Sequence, residues 1–414
     1  MDRRKFIRNT AAGSALGLIG GMHGMEASRA AASAGQPSIR PRAITMWDFS
    51  WLERRWAGAG YEDWDQALDE LKERGYDAVR IDAYPHLLAE NPTKEWTLNE
   101  CWNTQDWGSP DINKVSIQPS LNTFIGKCRD RGIKVGLSTW FREDVDKTRM
   151  KILTAEKHAE IWVTTLKTIS DAGLLDNILY VDLCNEWPGD AWAPFFKNVP
   201  PDKTWGYWHT KTSMDWMRKA ISLVRQAFPE LMYCFSFDNQ DVERYVENTP
   251  SFMDLAEHHV WMAKSNDSEF YKLTGYDYQR FSPSSYKSLV SKAKPLYDSK
   301  PQYWQEQLIM QVRWLALNAS RVKLPLITTE CWALVDYKDW PLLEWGWIKE
   351  LCTLGAVTAA STGQWIAIAS SNFCGPQFVG MWRDVQWHKD LTDKIKASAI
   401  KPELLTEKVK KALG

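Results

Sequence analysis

Ile178-Leu179-Tyr180-Val181-Asp182-Leu183-Cys184-Asn185-Glu186 is a short apolar run that ends on a carboxylate. A second run of the same kind, Leu324-Pro325-Leu326-Ile327-Thr328-Thr329-Glu330, lies far down the chain. Runs of this length, bounded by polar residues, read as strands buried on both faces, the habit of a parallel sheet. In a parallel α/β barrel the carboxyl ends of all strands open onto one face, and catalytic groups gather there. Two glutamates ending two such strands can face each other across one pocket. Two facing carboxylates are the minimum equipment for breaking a glycosidic bond.

Working outward, further strand signals fall at 43–47, 78–82, 133–138, 232–236, 255–260 and 358–366. Amphipathic helix signals alternate with them at 63–74, 119–131, 154–171, 211–228, 302–318, 342–353 and 390–398, with a short one near 242–246. Gly75, Gly132 and Gly173 stand where three of these helices should stop. Strand and helix in alternation imply a parallel sheet, and eight repeats predict a (β/α)8 TIM barrel. The rival, an open doubly wound sheet, is weakened because no Gly-rich phosphate loop follows the first strand. No low-complexity linker divides residues 35–414, so they read as one catalytic domain.

The first 34 residues stand apart. Arg3-Arg4, Phe6, a weakly apolar run at 11–21 and Ala32-Ser33-Ala34 follow in order. This resembles a twin-arginine export signal with cleavage after Ala34. The apolar run is too short to span a bilayer. The expected mature chain is periplasmic or secreted, with no membrane insertion once the signal is removed. Net charge is −1, from 51 basic and 52 acidic residues, which argues against nucleic acid or an anionic membrane as partner. The seven cysteines are odd in number and form no C-x-x-C pair, so neither a zinc site nor a disulfide framework is expected. Bridging of Cys352 with Cys374 stays open. No metal and no cofactor is implied.

Tryptophan is the compositional outlier, with 24 copies. The segments after strands are long and aromatic: Tyr84, Trp96, Trp102 and Trp107 after the second, Trp187, Trp192, Trp205 and Trp208 after the fourth, Tyr271, Tyr276 and Tyr286 after the sixth. Flat rings suit the apolar faces of sugars, so the long strand-to-helix loops read as an aromatic-walled cleft. The other reading is that these rings pack the loops onto the barrel.

Asn185-Glu186 at the fourth strand, with Glu330 at the seventh, resembles the signature of clan A glycoside hydrolases, on a cellulase-like branch near family 5. The resemblance implies that Glu186 is the acid/base and Glu330 the nucleophile. Val79-Arg80-Ile81 is similar to the clan's V-R-I/L segment, whose arginine bonds the nucleophile. By the same resemblance Asn185 would bond the sugar 2-hydroxyl. His259-Val260-Trp261 resembles the family's H-x-Y, and Trp365 the tryptophan that floors the central sugar subsite. Trp140, Trp187 and Trp332, each next to a strand end, are further substrate-binding candidates. The chain departs from family 5 twice: Ser138-Thr139-Trp140 stands where a histidine is usual, and Trp261 replaces the tyrosine. Both point to a divergent substrate.

The chemistry demands a charged Glu330 and a protonated Glu186, and Arg80 beside only one of them would separate their pKa values. Carboxyl groups about 5–5.5 Å apart retain anomeric configuration, and about 6.5–9.5 Å inverts it; the retaining distance is expected. The expected partner is a β-linked oligosaccharide or polysaccharide. A second reading is a metal-dependent sugar isomerase or epimerase, with Glu186, His259, Glu330 and Asp238 around a divalent ion. A third is a sugar-binding barrel without catalysis.

Overall fold

The computed structural model describes residues 39–101, 109, 112–201, 206–238, 249–276, 283–335, 344–372 and 374–414. The export-signal segment, the short helix expected at 242–246, and Trp102, Trp107 and Trp205 lie outside the described residues.

Eight strand positions run in parallel around a barrel: β1 (Arg42–Asp48), β2 (Ala78–Asp82), β3 (Lys134–Ser138), β4 (Ile178–Asp182), β5 (Tyr233–Cys234 and Ser236–Asp238), β6 (Ala256–Trp261), β7 (Leu326–Thr328, resumed at Cys331–Trp332) and β8 (Trp365–Ala369). Each pairs with the next, and β8 pairs with β1. The first half of β5 pairs with β4 and the second with β6, which closes the ring. The chain is therefore a (β/α)8 TIM barrel.

Helices α1 (Trp64–Glu73), α2 (Ser120–Asp130), α3 (Ala155–Asp171), α4 (Lys211–Ala227), α5 (Pro301–Arg321), α6 (Gly346–Thr362) and α7 (Val385–Ala397) flank it. In α1, Asp63 accepts from the Asp65 and Gln66 amides, so an N-cap fixes the start. Trp64, Ala67, Leu68 and Leu71 form its buried stripe, at the spacing that puts them on one helical face.

One boundary differs from the sequence reading. The eighth strand was expected at 358–366, yet α6 runs through Thr362 and β8 begins at Trp365. Val357 and Thr358 favour a strand locally, but Leu351, Cys352, Gly355, Ala356, Ala359 and Ala360 make a buried helical stripe, and tertiary packing wins over propensity. Gly355 is required there, since a Cβ would stand 2.6 Å from Cδ2 of Trp332. Gly363, at φ 68°, caps the helix.

The long loops carry structure that their sequence did not announce. After β2 come a helix, Pro85–Glu90, and an antiparallel hairpin of Glu95–Leu98 with Asn113–Ser116. All seven cysteines, Cys352 and Cys374 included, are free thiols. Among the described residues no helix is long and apolar enough to cross a membrane.

Candidate active site

Arg80, in the middle of β2, is wholly buried. Its Nη2 donates to Asp182 Oδ2 (2.6 Å), Asn185 Oδ1 (2.7 Å), Ser138 Oγ (2.9 Å) and Ser236 Oγ (3.2 Å). Its Nη1 donates to Thr329 Oγ1 (3.1 Å) and Glu330 Oε1 (3.2 Å). Contacts that join β2 to β4, β5 and β7 must cross the barrel lumen, so the core of this barrel is polar at its catalytic end. Trp140 closes one face of the guanidinium, 4.6 Å from the ring centroid.

Glu186 follows β4 at φ 45°, a left-handed backbone that costs a non-glycine residue roughly 1–2 kcal/mol. Surrounding bonds hold it: its amide donates to Ser236 Oγ (3.0 Å), and the Trp187 amide to the Ser236 carbonyl (2.9 Å). Asp48, Tyr84 and Phe141, at or just past other strand ends, share the feature. Strain of this kind gathers where function fixes a side chain.

The two carboxylates meet at His259. Its Nδ1 lies 2.9 Å from Glu186 Oε1 and 3.6 Å from Glu330 Oε2. One ligand atom from each of the three side chains lies within 4.8 Å of the others. Glu186 also accepts from Trp192 Nε1 at 3.4 Å. Its side chain is 23% exposed and that of Glu330 8%.

The charge order departs from expectation. Burial pushes Glu186 upward, but the His259 bond, Lys264 and Trp192 outweigh it and hold the carboxyl at about 2. Burial raises Glu330, and the charge of Glu186 adds to the rise, against His259 and Arg80. His259 is raised, with burial opposed chiefly by Glu330 and the Glu186 bond. Arg80 does stand beside Glu330 alone, yet it does not set the order, because Asp182 and Glu257 share its charge. The three groups titrate as one unit, with a proton resting on His259 between two carboxylates.

A divalent ion fits this set poorly. It would share Glu330 with a guanidinium, and Asp238, the further ligand the second reading needs, is paired with Lys264 at 2.6 Å.

The other expected site residues divide. Asn185 turns its Oδ1 to Arg80, and Trp140 packs on Arg80, so both belong to the site. Trp261 ends β6 beside Val260, whose amide donates to the Glu330 carbonyl at 3.0 Å; its own indole nitrogen is buried without a hydrogen-bond partner. Trp187 sits among Phe195, Phe196, Trp216 and Phe235 and donates to Ser213 Oγ (2.7 Å), packing the loop down. Trp332 lies against α6 and donates to the Ala369 carbonyl (2.8 Å). Trp365 corrects the sequence reading: it opens β8, four residues before its carboxyl end, and its buried indole donates to Thr328 Oγ1 on β7 (3.0 Å), so it packs between strands and does not floor a subsite at their ends. The misplacement of β8 caused that error. Asp82, the last residue of β2, bridges neighbouring segments: it accepts from the Trp140 and Tyr84 amides (2.9 and 2.7 Å).

Asp182, Glu257 and Thr329 were missed, and Trp192 was named only among the loop aromatics. Asp182 and Glu257 are carboxylates within strand runs, two-residue steps from Tyr180 and His259, and that parity was the available signal.

A TIM barrel whose strand ends bring two glutamates together over a buried arginine has the plan of a clan A glycoside hydrolase. The comparisons agree: residues 44–396 match the family model described as "Cellulase-like: Sugar-binding cellulase-like", and the chain belongs to that family. It is 58% identical to a Parabacteroides distasonis protein provisionally described as a glycoside hydrolase, whose crystal structure superposes with a TM-score of 0.88 over 91% of this chain and 99% of that one. More remote similarity extends to GH5_18 from Streptomyces cattleya in complex with GlcNAc (13% identity, TM-score 0.47, 88% and 83% covered). An endo-beta-1,4-mannanase from Thermotoga petrophila is comparable (9% identity, TM-score 0.48, 88% and 78% covered). No curated protein matches the chain. The protein is thus a glycoside hydrolase of the clan A, cellulase-like fold.

Proposed function

We propose that this glycoside hydrolase acts on β-linked oligosaccharide or polysaccharide with retention, with Glu330 as nucleophile and Glu186 as acid/base. The observation that carries the reading is the convergence of the two carboxylates on one histidine, with one oxygen of each within 4.8 Å of the other; the carboxyl groups of a retaining pair stand about 5–5.5 Å apart. A Glu330 oxygen attacks the anomeric carbon as the glycosidic C–O bond breaks. The leaving oxygen takes a proton from Glu186, which draws it from His259 Nδ1 along the 2.9 Å contact. Water then adds to the anomeric carbon, the ester to Glu330 breaks, and the water's proton passes through Glu186 back to His259 Nδ1. The raised basicity of Glu330 supports its role as attacking group. Trp192, in contact with Glu186, is the loop ring best placed to meet a sugar.

The proposal extends to export: residues 1–34 act as a twin-arginine signal and the mature protein works in the periplasm or outside the cell. Screening residues 35–414 on gluco-, manno- and xylo-oligosaccharides and N-acetylhexosaminides tests the activity, with NMR of the first-formed anomer to read the stereochemistry. An inverted first product overturns the retaining assignment. Cell fractionation of the wild type against an Arg3→Lys, Arg4→Lys variant tests export: equal periplasmic yield would remove it.

A further inference from the structure

Glu257 has no place in the chemistry above, yet it reaches Arg80, Thr329 and His259, which all support it. The carboxylate is wholly buried on β6. Oε1 accepts from Thr329 Oγ1, the residue before the nucleophile, and lies 3.6 Å from Arg80 Nη1. It also faces His259 Nε2 at 4.0 Å, the ring nitrogen that makes no hydrogen bond. Oε2 accepts from Tyr180 OH at 2.9 Å. Tyr180 reaches into the lumen because Gly136 on the neighbouring strand leaves room: a Cβ there would stand 2.5 Å from its ring. A buried carboxylate with this many dedicated partners is a built feature, since leaving it unsatisfied would be costly.

We infer that Glu257 is a positioning residue that keeps the nucleophile basic: with Asp182 it takes up the charge of Arg80, and it holds His259 in the protonated form that serves Glu186. The inference rests on the hydrolase reading of Glu186 and Glu330. Arg80 meets three carboxylates, at 2.6 Å (Asp182), 3.2 Å (Glu330) and 3.6 Å (Glu257). Because Asp182 and Glu257 share the guanidinium, Glu330 is oriented by it without being quenched by it. The other charged groups around the cluster are fewer. Lys264 and Asp238 form their own pair beside Glu186, and Asp48 at the end of β1 feels Glu330. His258 points from the same strand and is neutral, its pKa pushed down to about 3 by burial.

The sign of the effect follows from the charge removed. Glu257→Gln deletes a negative charge near both Glu330 and His259. Glu330 then ionises at lower pH, and the imidazolium gives up its proton at lower pH. Both limbs of the kcat/KM profile move to lower pH by about half to one unit, and kcat falls as the nucleophile loses basicity. Glu257→Asp keeps the charge, so its limbs stay in place while kcat falls. Tyr180→Phe removes a donor from the carboxylate, leaves more charge facing His259, and moves the limbs slightly the other way.

The test is pH–rate profiles of the three variants on whichever oligosaccharide the wild type cleaves, together with NMR titration of the His259 ring in the full mature chain. A merely structural role predicts slower or less stable enzyme with unmoved limbs and an unmoved His259 titration, and that result overturns the inference. Should Glu257→Gln fail to fold, Tyr180→Phe decides by its opposite sign: limbs that stay put or move to lower pH overturn it. Should the wild type cleave nothing, the hydrolase reading fails by itself. The His259 titration then judges the charge-setting role alone: a fall in Glu257→Gln sustains it, and an unchanged ring ends it.

Discussion

Glu330 and Glu186 are the same side chain at the ends of two parallel strands, and they live in unlike places. Glu330 rises from a floor of crossing bonds in which Arg80, Thr329, Asp182, Glu257 and Ser138 fix one another. Glu186 sits on a strained turn at the foot of a loop, shared between a histidine and a tryptophan. A preorganised floor suits a group that must attack along one line. A group that must lose and regain a proton benefits from partners that can trade it. The contrast teaches that the barrel supplies geometry to the nucleophile and proton traffic to the acid.

The largest expected effects break this comparison at its two poles. Glu330→Gln should leave no measurable hydrolysis, while Glu186→Gln should lower kcat by about 10²–10⁴, the range that general acid–base catalysis contributes. Azide should accelerate Glu186→Ala on an aryl glycoside with a good leaving group, because the second step then needs no base, and should not rescue Glu330→Gln. Steady-state kinetics decide it. Either variant retaining a tenth of the wild-type kcat would sink the assignment.

Next in size is the floor itself. Arg80→Leu strips three buried carboxylates of their cation, and breaking such a cluster from one side costs about 3–5 kcal/mol. Urea unfolding should show that loss. Removing a partner from the Glu186 side, in Trp192→Phe, should barely alter stability. Equal losses would mean that the two sides do not differ as argued.

Much of this was legible in the sequence, for physical reasons. β4 and the ends carrying Glu186 and Glu330 were visible because strands buried on both faces leave nearly uninterrupted apolar runs. β8 was misread because Val357 and Thr358 look like strand residues, and the stripe that makes them helical depends on Gly355 receiving Trp332, a contact no local window contains. The order of the two acids was misjudged because a single arginine was counted where three carboxylates share it. Loop tryptophans gave the least: Trp187 and Trp192 are five residues apart in one segment, and only folding shows that the first packs the loop and the second meets Glu186.

A smaller effect sharpens the description of the Glu186 wall. Behind it His158 is buried, accepting at Nδ1 from Trp216 Nε1 (3.0 Å), which can only donate, and so donating from Nε2 to the Leu183 carbonyl (2.9 Å). Burial pushes its pKa from 6.5 down to about 4. Between these values the unfolded chain binds a proton that the folded chain refuses, so stability falls as pH drops from about 6.5 toward 4. The loss is on the order of 3 kcal/mol at the acid end. Asp48 and Asp82, raised by burial to about 7, act in the opposite sense, so the histidine is isolated by comparing slopes. In His158→Gln, the drop in unfolding free energy between pH 7 and pH 4.5 should shrink by most of that amount. An unchanged slope would show that this wall admits the proton without opening.

The smallest effect compares two tryptophans in one loop. Trp192→Phe keeps a ring over the pocket but removes the N–H that reaches Glu186 at 3.4 Å, a long bond worth about 1 kcal/mol or less. Losing it leaves more negative charge on Glu186 facing His259, so the imidazolium keeps its proton to higher pH; the alkaline limb of kcat/KM should move upward slightly and activity at neutral pH change by no more than about fivefold. Trp187→Phe removes a 2.7 Å bond to a buried serine, so it should cost about 1–3 kcal/mol of stability with KM within twofold of wild type. Paired thermal melts and pH–rate profiles separate the two. If Trp187→Phe shifted the pH profile and Trp192→Phe shifted only the melting temperature, the division between the loop's packing side and its catalytic side would be reversed.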